Sequence, residues 1–135
     1  MPRILIADPI ASEGIDLLKA RAQVDIKHGL SPQELAEILG DYDALVVRSE
    51  TKVTADAIRS GKQLKVIARA GIGVDNIDLA AATSAGIAVV NAPTGNTVAA
   101  AEHTLALMLA LARNIPSAHQ SLKEGQWRRS AFMGI

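Results

Sequence analysis

The sequence has no cysteine, and in 135 residues its only aromatics are Tyr42, Trp127 and Phe132. Without thiols there is no disulfide framework, thiolate nucleophile or cysteine-ligated metal site. That absence leaves the compartment open and fits a reducing cytoplasm. Three scattered aromatics supply no platform on which nucleic-acid bases would stack. An excess of one charge is missing too: 14 basic residues balance 14 acidic ones. A neutral chain with a pI near 6.8 is a poor neutraliser of phosphate backbones, so nucleic acid is excluded as a partner. Long hydrophobic runs are absent as well. The most apolar stretch, Leu105 to Ala112, is far shorter than the roughly 20 residues of a membrane span, and no membrane partner is expected. At the N-terminus, Met1-Pro2-Arg3-Ile4 leads directly into a short apolar run with Asp8 behind it, too short for the core of a signal peptide. His28, His103 and His119 lie too far apart for an i, i+4 metal pair, and no carboxylate cluster completes one.

What is abundant is aliphatic side chain, with 49% of residues hydrophobic. Strand-sized apolar runs recur at Ile4–Ala7, Val24–Ile26, Ala44–Val47, Val66–Ala68 and Ile87–Val90. Helical segments alternate with them. One carries Ile15, Leu17 and Leu18 and ends near Arg21. The next starts at Ser31-Pro32-Gln33-Glu34, where Ser31 reads as N-cap, Pro32 as first helical residue and Glu34 as the carboxylate of a capping box. Thr54 caps a third helix through Ile58, stopped by Gly61, and Ile77 to Ala85 is a fourth, stopped by Gly86. This alternation predicts an α/β fold, a doubly wound parallel sheet of five strands in the flavodoxin-like order 2-1-3-4-5. From Thr97 the pattern changes to one long Ala/Leu helix over residues 98–121, with a kink at Pro116. Its Thr104–Ala112 segment is apolar all round and demands cover on more than one face, from a second domain or a second subunit.

Three loops follow strands and carry groups suited to an anion. Arg48-Ser49-Glu50-Thr51 follows the third strand, where open α/β sheets bind ligands. The Arg48 fork suits a carboxylate or phosphate, or it pairs on the surface with Glu50. Arg69-Ala70-Gly71-Ile72-Gly73 follows the fourth strand. Its glycines make either a tight turn or a cradle of backbone N–H groups for an anion. It is not a dinucleotide fingerprint, since Asn76 stands where the third glycine would be. Asn91-Ala92-Pro93-Thr94-Gly95-Asn96-Thr97 follows the fifth strand as turn and cap, or as a hinge with a polar group toward a ligand. Asp8 ends the first strand, as an Asp-Pro turn or as a functional carboxylate. A receiver-like or flavin-carrying module of the same fold is the rival; the first would want an Asp where Arg48 stands, the second a phosphate loop after strand one.

Five ordered motifs together carry a resemblance. They are Arg48-Ser49-x-Thr51, the Arg69–Asp78 loop, Asn91-Ala92-Pro93-x-Gly95-Asn96-Thr97, Ala101-Glu102-His103, and Gly125-x-Trp127-x-Arg129-x-x-Phe132-Met133-Gly134. The chain resembles the NAD-dependent D-2-hydroxyacid dehydrogenases over its whole length, and within them the branch that oxidises 3-phosphoglycerate at the entry to serine biosynthesis. Reduction of glyoxylate or hydroxypyruvate is the nearest alternative. The resemblance implies a substrate-binding domain over residues 1–96. Residues 97–135 would form a connecting and dimerisation helix and the start of an NAD-binding domain. It also implies that Arg48, Ser49, Arg69, Gly71, Gly73, Asn96 and Arg129 bind the anionic substrate, that Ile72 approaches the nicotinamide of NAD, and that the 98–121 helix pairs two copies. The family's dinucleotide fingerprint and its catalytic Arg, Glu and His follow the segment matching Phe132-Met133-Gly134. The resemblance thus implies an amino-terminal part with no catalytic residue of its own, inactive alone.

Overall fold

Each short apolar run becomes one strand of a single parallel sheet in the computed structural model, which describes residues 1–135. The strands are β1 (Arg3–Ile6), β2 (Gln23–Ile26), β3 (Ala44–Val47), β4 (Val66–Arg69) and β5 (Ala88–Asn91). Their order is β2-β1-β3-β4-β5, as the alternation predicts. Successive side chains on a strand point to opposite faces, and here the two faces are filled unequally. Leu5, Leu45, Val47 and Ile67 point into the larger core cluster, with Leu35, Leu39, Ala57, Ile58 and Ala82. These last belong to helices α2 (Pro32–Ile38), α3 (Ala55–Ser60) and α4 (Leu79–Ser84) and to the 3-10 turn Leu39–Asp41. Ile4, Ile6 and Val46 point the other way, against Ile15 and Leu18 of α1 (Ser12–Lys19). That helix covers one end of its face only; Ala88 and Val90 at the β5 edge stay exposed.

Local capping follows from residue chemistry. Ser31 and Glu34 exchange side-chain and backbone bonds in the expected capping box, and Thr54 accepts from the Ala57 N–H. The fourth helix starts later than its apolar pattern suggests. Asp78 accepts from the Ala81 N–H and is the cap, while Ile77 is buried and bridges Val53 as an extended residue. Gly86 follows that helix at φ +70°, a left-handed conformation that favours glycine.

Residues 96–135 form a second compact unit after 1–95. The single helix expected over 98–121 is two: α5 (Thr97–Ala112) and α6 (Ile115–Lys123). Pro116 lacks an N–H, and in a continuous helix its ring would meet the carbonyl of Ala112. Asn114 takes the left-handed conformation (φ 52°, ψ 33°) that Asn tolerates, so the chain breaks and restarts with Pro116 in the first turn. Asn114 Nδ2 donates to Met133 O (3.1 Å), and the Ile135 N–H donates to Ala112 O (3.1 Å), so the break is closed by the tail. No residue of α5 is buried, and Leu111 is 81% exposed. Replacing Leu35, fully buried under the sheet, by Ala is expected to lower stability by about 2–5 kcal/mol. Urea unfolding followed by circular dichroism measures it, and a loss under 1 kcal/mol (about a methylene's worth) would contradict this packing.

Candidate functional site

The register of the sheet brings the ends of β3 and β4 side by side, with Val47 opposite Arg69. Arg48 and Arg69 therefore leave adjacent strands within one hydrogen bond of each other: Arg69 Nε donates to Arg48 O at 3.1 Å. That carbonyl also accepts from Asn76 Nδ2 (2.9 Å), whose second proton goes to Thr51 O at 2.7 Å. Arg48 and Ser49 themselves are exposed. Neither arginine is paired with a carboxylate; the ion pairs of the chain are Arg3–Asp25, Arg59–Asp56 and Lys65–Asp43. The reading of Arg48 as a surface partner of Glu50 is thereby set aside.

The glycine loop lies under the Arg69 side chain. A Cβ on Gly71 would come 2.9 Å from Arg69 Nη1, and one on Gly73 would come 2.9 Å from Asp75 Oδ1 and 3.5 Å from Arg69 Nη1. Glycine at both positions lets a guanidinium rest against backbone. The loop is held from β5: Asn91 Nδ2 donates to Ile72 O (2.7 Å) and the Ala92 N–H to Gly71 O (3.0 Å). Ile72 is 39% exposed. Backbone amides and two unpaired guanidiniums on neighbouring strand ends suit a small polyanion. On one flank, Ser49, Lys52, Thr54, Asp75 and Asn76 line an open depression of about 570 Å³.

The structure thus brings together Arg48, Ser49, Arg69, Gly71, Ile72 and Gly73. Asn96 and Arg129 belong to the second unit. Asn96 precedes α5 with no side-chain capping bond, and Arg129 opens the 3-10 turn Arg129–Phe132. Arg129 lines a 240 Å³ apolar hollow with Leu122, Trp127 and Phe132.

Asp8 proves to be more than an Asp-Pro turn. It is 1% exposed, and its carboxylate accepts from the Arg48 N–H (2.6 Å), the Thr51 N–H (3.1 Å) and Thr51 Oγ1 (2.5 Å). Strands β1 and β3 are the switch point of this strand order, where such sheets commonly receive a ligand. Here Asp8 fills that crevice, and the two unpaired arginines lie one strand over, at β3 and β4. Thr51 and Asn76 were not singled out as site residues from sequence. Their hydroxyl and amide act on loops far away in the chain, and no local pattern reports that.

Burial pushes the Asp8 carboxyl up, but the bonds from Thr51 and from the backbone of Arg48, Thr51 and Glu50 outweigh it and hold it below its ordinary value. Asp25 is held low by Arg3 and Tyr42, Glu34 by Ser31, and Asp43 by Lys65 and the Arg3 amide. A carboxylate with a lowered folded-state pKa stabilises above its unfolded pKa, and that contribution vanishes as pH falls through the folded value. Stability is therefore expected to be flat near neutrality and to fall below about pH 4. Asp8→Asn should make that decline shallower while lowering stability at pH 7; urea midpoints across pH measure both, and equal acid slopes would refute it.

Residues 4–130 match the family of the D-isomer specific 2-hydroxyacid dehydrogenase catalytic domain. The chain is 58% identical over 134 residues to a D-3-phosphoglycerate dehydrogenase of Synechocystis sp., covering 99% of this chain and 24% of that protein. It therefore spans about a quarter of the length of such relatives. Among solved structures, the TT0316 protein of Thermus thermophilus superposes with a TM-score of 0.87 at 32% identity, covering 98% of this chain and 45% of that one. An NAD+-bound 3-phosphoglycerate dehydrogenase of Entamoeba histolytica does so at 0.72 and 30% identity, covering 83% of this chain and 39% of that one. A sheet of this order, arginines at its β3 and β4 ends and a match over nearly every residue agree: the chain belongs to the D-isomer specific 2-hydroxyacid dehydrogenase family.

Proposed function

We propose that this chain is the substrate-binding part of an NAD-dependent oxidoreductase that converts 3-phospho-D-glycerate to 3-phosphohydroxypyruvate in the cytoplasm, the first step of serine biosynthesis. The observation that carries the reading is the pair of guanidiniums, Arg48 and Arg69, without acidic partners beside the Gly71–Gly73 loop. Phosphoglycerate is a small anion with a carboxylate at one end and a phosphate at the other. The Gly71 N–H is bonded to Arg69 O (2.8 Å), so the Ile72 and Gly73 amides hold the carboxylate, while Arg48, Ser49 and Arg69 surround the charged ends. The substrate-binding roles of Asn96 and Arg129 rest on the family resemblance alone. Residues 1–96 form the substrate-binding domain, and residues 97–135 link it to an NAD-binding domain.

Bound NAD would supply the acceptor for the hydride on the carbon that bears the 2-hydroxyl. The glycine loop does not fit its pyrophosphate: Asn76 replaces the third glycine, its amide is bonded to Arg48 O and Thr51 O, and α4 starts only at Leu79. The exposed apolar side chain of Ile72 fits contact with the nicotinamide ring alone. The role read for the six clustered residues is to bind and orient substrate. The exposed leucines of α5 pair two copies of the chain. The pairing expected of a 98–121 helix falls to α5, because the chain breaks at Asn114.

Calorimetric titration of the 135-residue chain with 3-phosphoglycerate tests the reading. Arg48→Ala is expected to weaken binding by about 1.5–3 kcal/mol, the scale of a charge-assisted hydrogen bond. Unchanged affinity would remove Arg48 from the site, and steady NADH production by the chain would contradict a purely binding role. Sedimentation is expected to give at least twice the 14.1 kDa chain mass, and a clean monomer at micromolar concentration would contradict pairing through α5.

A further inference from the structure

We infer that Asp8 is a positioning residue for the Arg48–Arg69 anion site, setting the Arg48 backbone from which both guanidiniums take their place. The inference rests on the phosphoglycerate-binding reading and adds a residue that never touches the ligand, because Asp8 is buried.

A buried carboxylate is costly unless fully bonded. All of the bonds that hold this one come from the β3–α3 loop: the Arg48 and Thr51 amides and the Thr51 hydroxyl, with the Glu50 backbone. It is not needed to join β1 to β3. The ladder Ile4–Ala44, Leu5–Leu45 and Ile6–Val46 does that, and the Ala7 N–H extends it to Val46 O at 2.9 Å. What Asp8 adds lies past the last strand residue, where the ladder no longer reaches.

Both peptide groups flanking Arg48 are then fixed from different elements. Its N–H goes to Asp8 at the end of β1, and its C=O receives Asn76 Nδ2 and Arg69 Nε. A shift of the Arg48 N–H moves that carbonyl, and the Arg69 side chain hangs from it. Two unpaired cations on adjacent strand ends repel each other, and a buried anion beside the Arg48 backbone opposes their separation. The loop is thus shaped before an anion arrives, which removes an ordering cost from binding.

Asp8→Asn keeps the size of the side chain but turns an NH2 group toward amide donors. Thr51→Val removes the hydroxyl bond to Asp8, and Thr51→Ser restores it. Titration of the 135-residue chain with 3-phosphoglycerate is expected to show affinity about 10–100-fold weaker in Asp8→Asn, from the loss of charge-assisted bonds. Thr51→Val is expected to be about 5-fold weaker, and Thr51→Ser within about 2-fold of the parent, on the scale of one hydrogen bond. In proton–nitrogen NMR spectra the Arg48 amide, donating to a carboxylate, is expected to resonate downfield. It should move upfield in Asp8→Asn while the amides of α2 and α4 keep their positions.

A folded Asp8→Asn chain with parental affinity would overturn the inference, as would a Thr51→Ser chain no tighter than Thr51→Val. If Asp8→Asn does not fold, the Thr51 pair decides alone, and parental affinity in Thr51→Val overturns it. If the parent chain binds no 3-phosphoglycerate, the functional reading fails separately. Inorganic phosphate followed at the Arg48 and Gly73 amides then reads the site, and the absence of any phosphate response there ends the inference too.

Discussion

One buried carboxylate organises the carboxyl end of this sheet. Asp8 lies at the crevice between β1 and β3, where the order of strands reverses, and satisfies the donors of the loop that follows β3. A bare crevice there would leave the Arg48 and Thr51 amides without partners and the loop free to sample other shapes. With those donors bonded to Asp8, and the Arg48 and Thr51 carbonyls bonded to Asn76, the loop is tied at both its amides and its carbonyls. The two unpaired arginines lie at the ends of β3 and β4, Arg69 beside the glycines.

Charge and apolar surface are both distributed more unevenly than the composition suggests. Acidic and basic residues balance over the chain, yet Arg48 and Arg69 stand without carboxylate partners while Arg3, Arg59 and Lys65 are paired. Arg3 and Lys65 pair with carboxylates on neighbouring strand ends, whereas Arg48 and Arg69 do not. Much of the aliphatic content is likewise outside the core. The larger core cluster lies on the face covered by α2, α3 and α4, and α1 alone covers the other. Helix α5 is apolar all round over Thr104–Ala112 and has no buried residue, a surface for which water is a poor neighbour.

Glycine and asparagine serve the site through backbone rather than through reactive atoms. Gly71 and Gly73 are small because the Arg69 guanidinium and the Asp75 carboxylate occupy the space a Cβ would need. Asn76 and Asn91 spend their amide protons on carbonyls of neighbouring loops, holding two turns in register. A pattern that resembles half of a nucleotide-binding fingerprint is, in three dimensions, a loop wrapped around an arginine.

By itself the sequence determined what depends on near neighbours. Alternating apolar runs and helical segments specify the strands and their order, and Ser31, Glu34, Thr54 and Gly86 mark helix ends, because capping acts over three or four residues. The arginine and glycine loops were legible because they follow strands, and strand ends converge in any sheet of this order. Tertiary structure decided the rest. Asp8 and Thr51 are separated by 43 residues in the chain, so only folding shows that a carboxylate in an Asp-Pro pair is the anchor of another loop. The break at Asn114 was equally hidden. A proline permits either a kink or a new first turn, and the left-handed Asn114, with the tail bonded at Met133 O and Ala112 O, selects the second. Local rules decide which elements form, whereas hydrogen bonds between distant segments decide where their functional groups point.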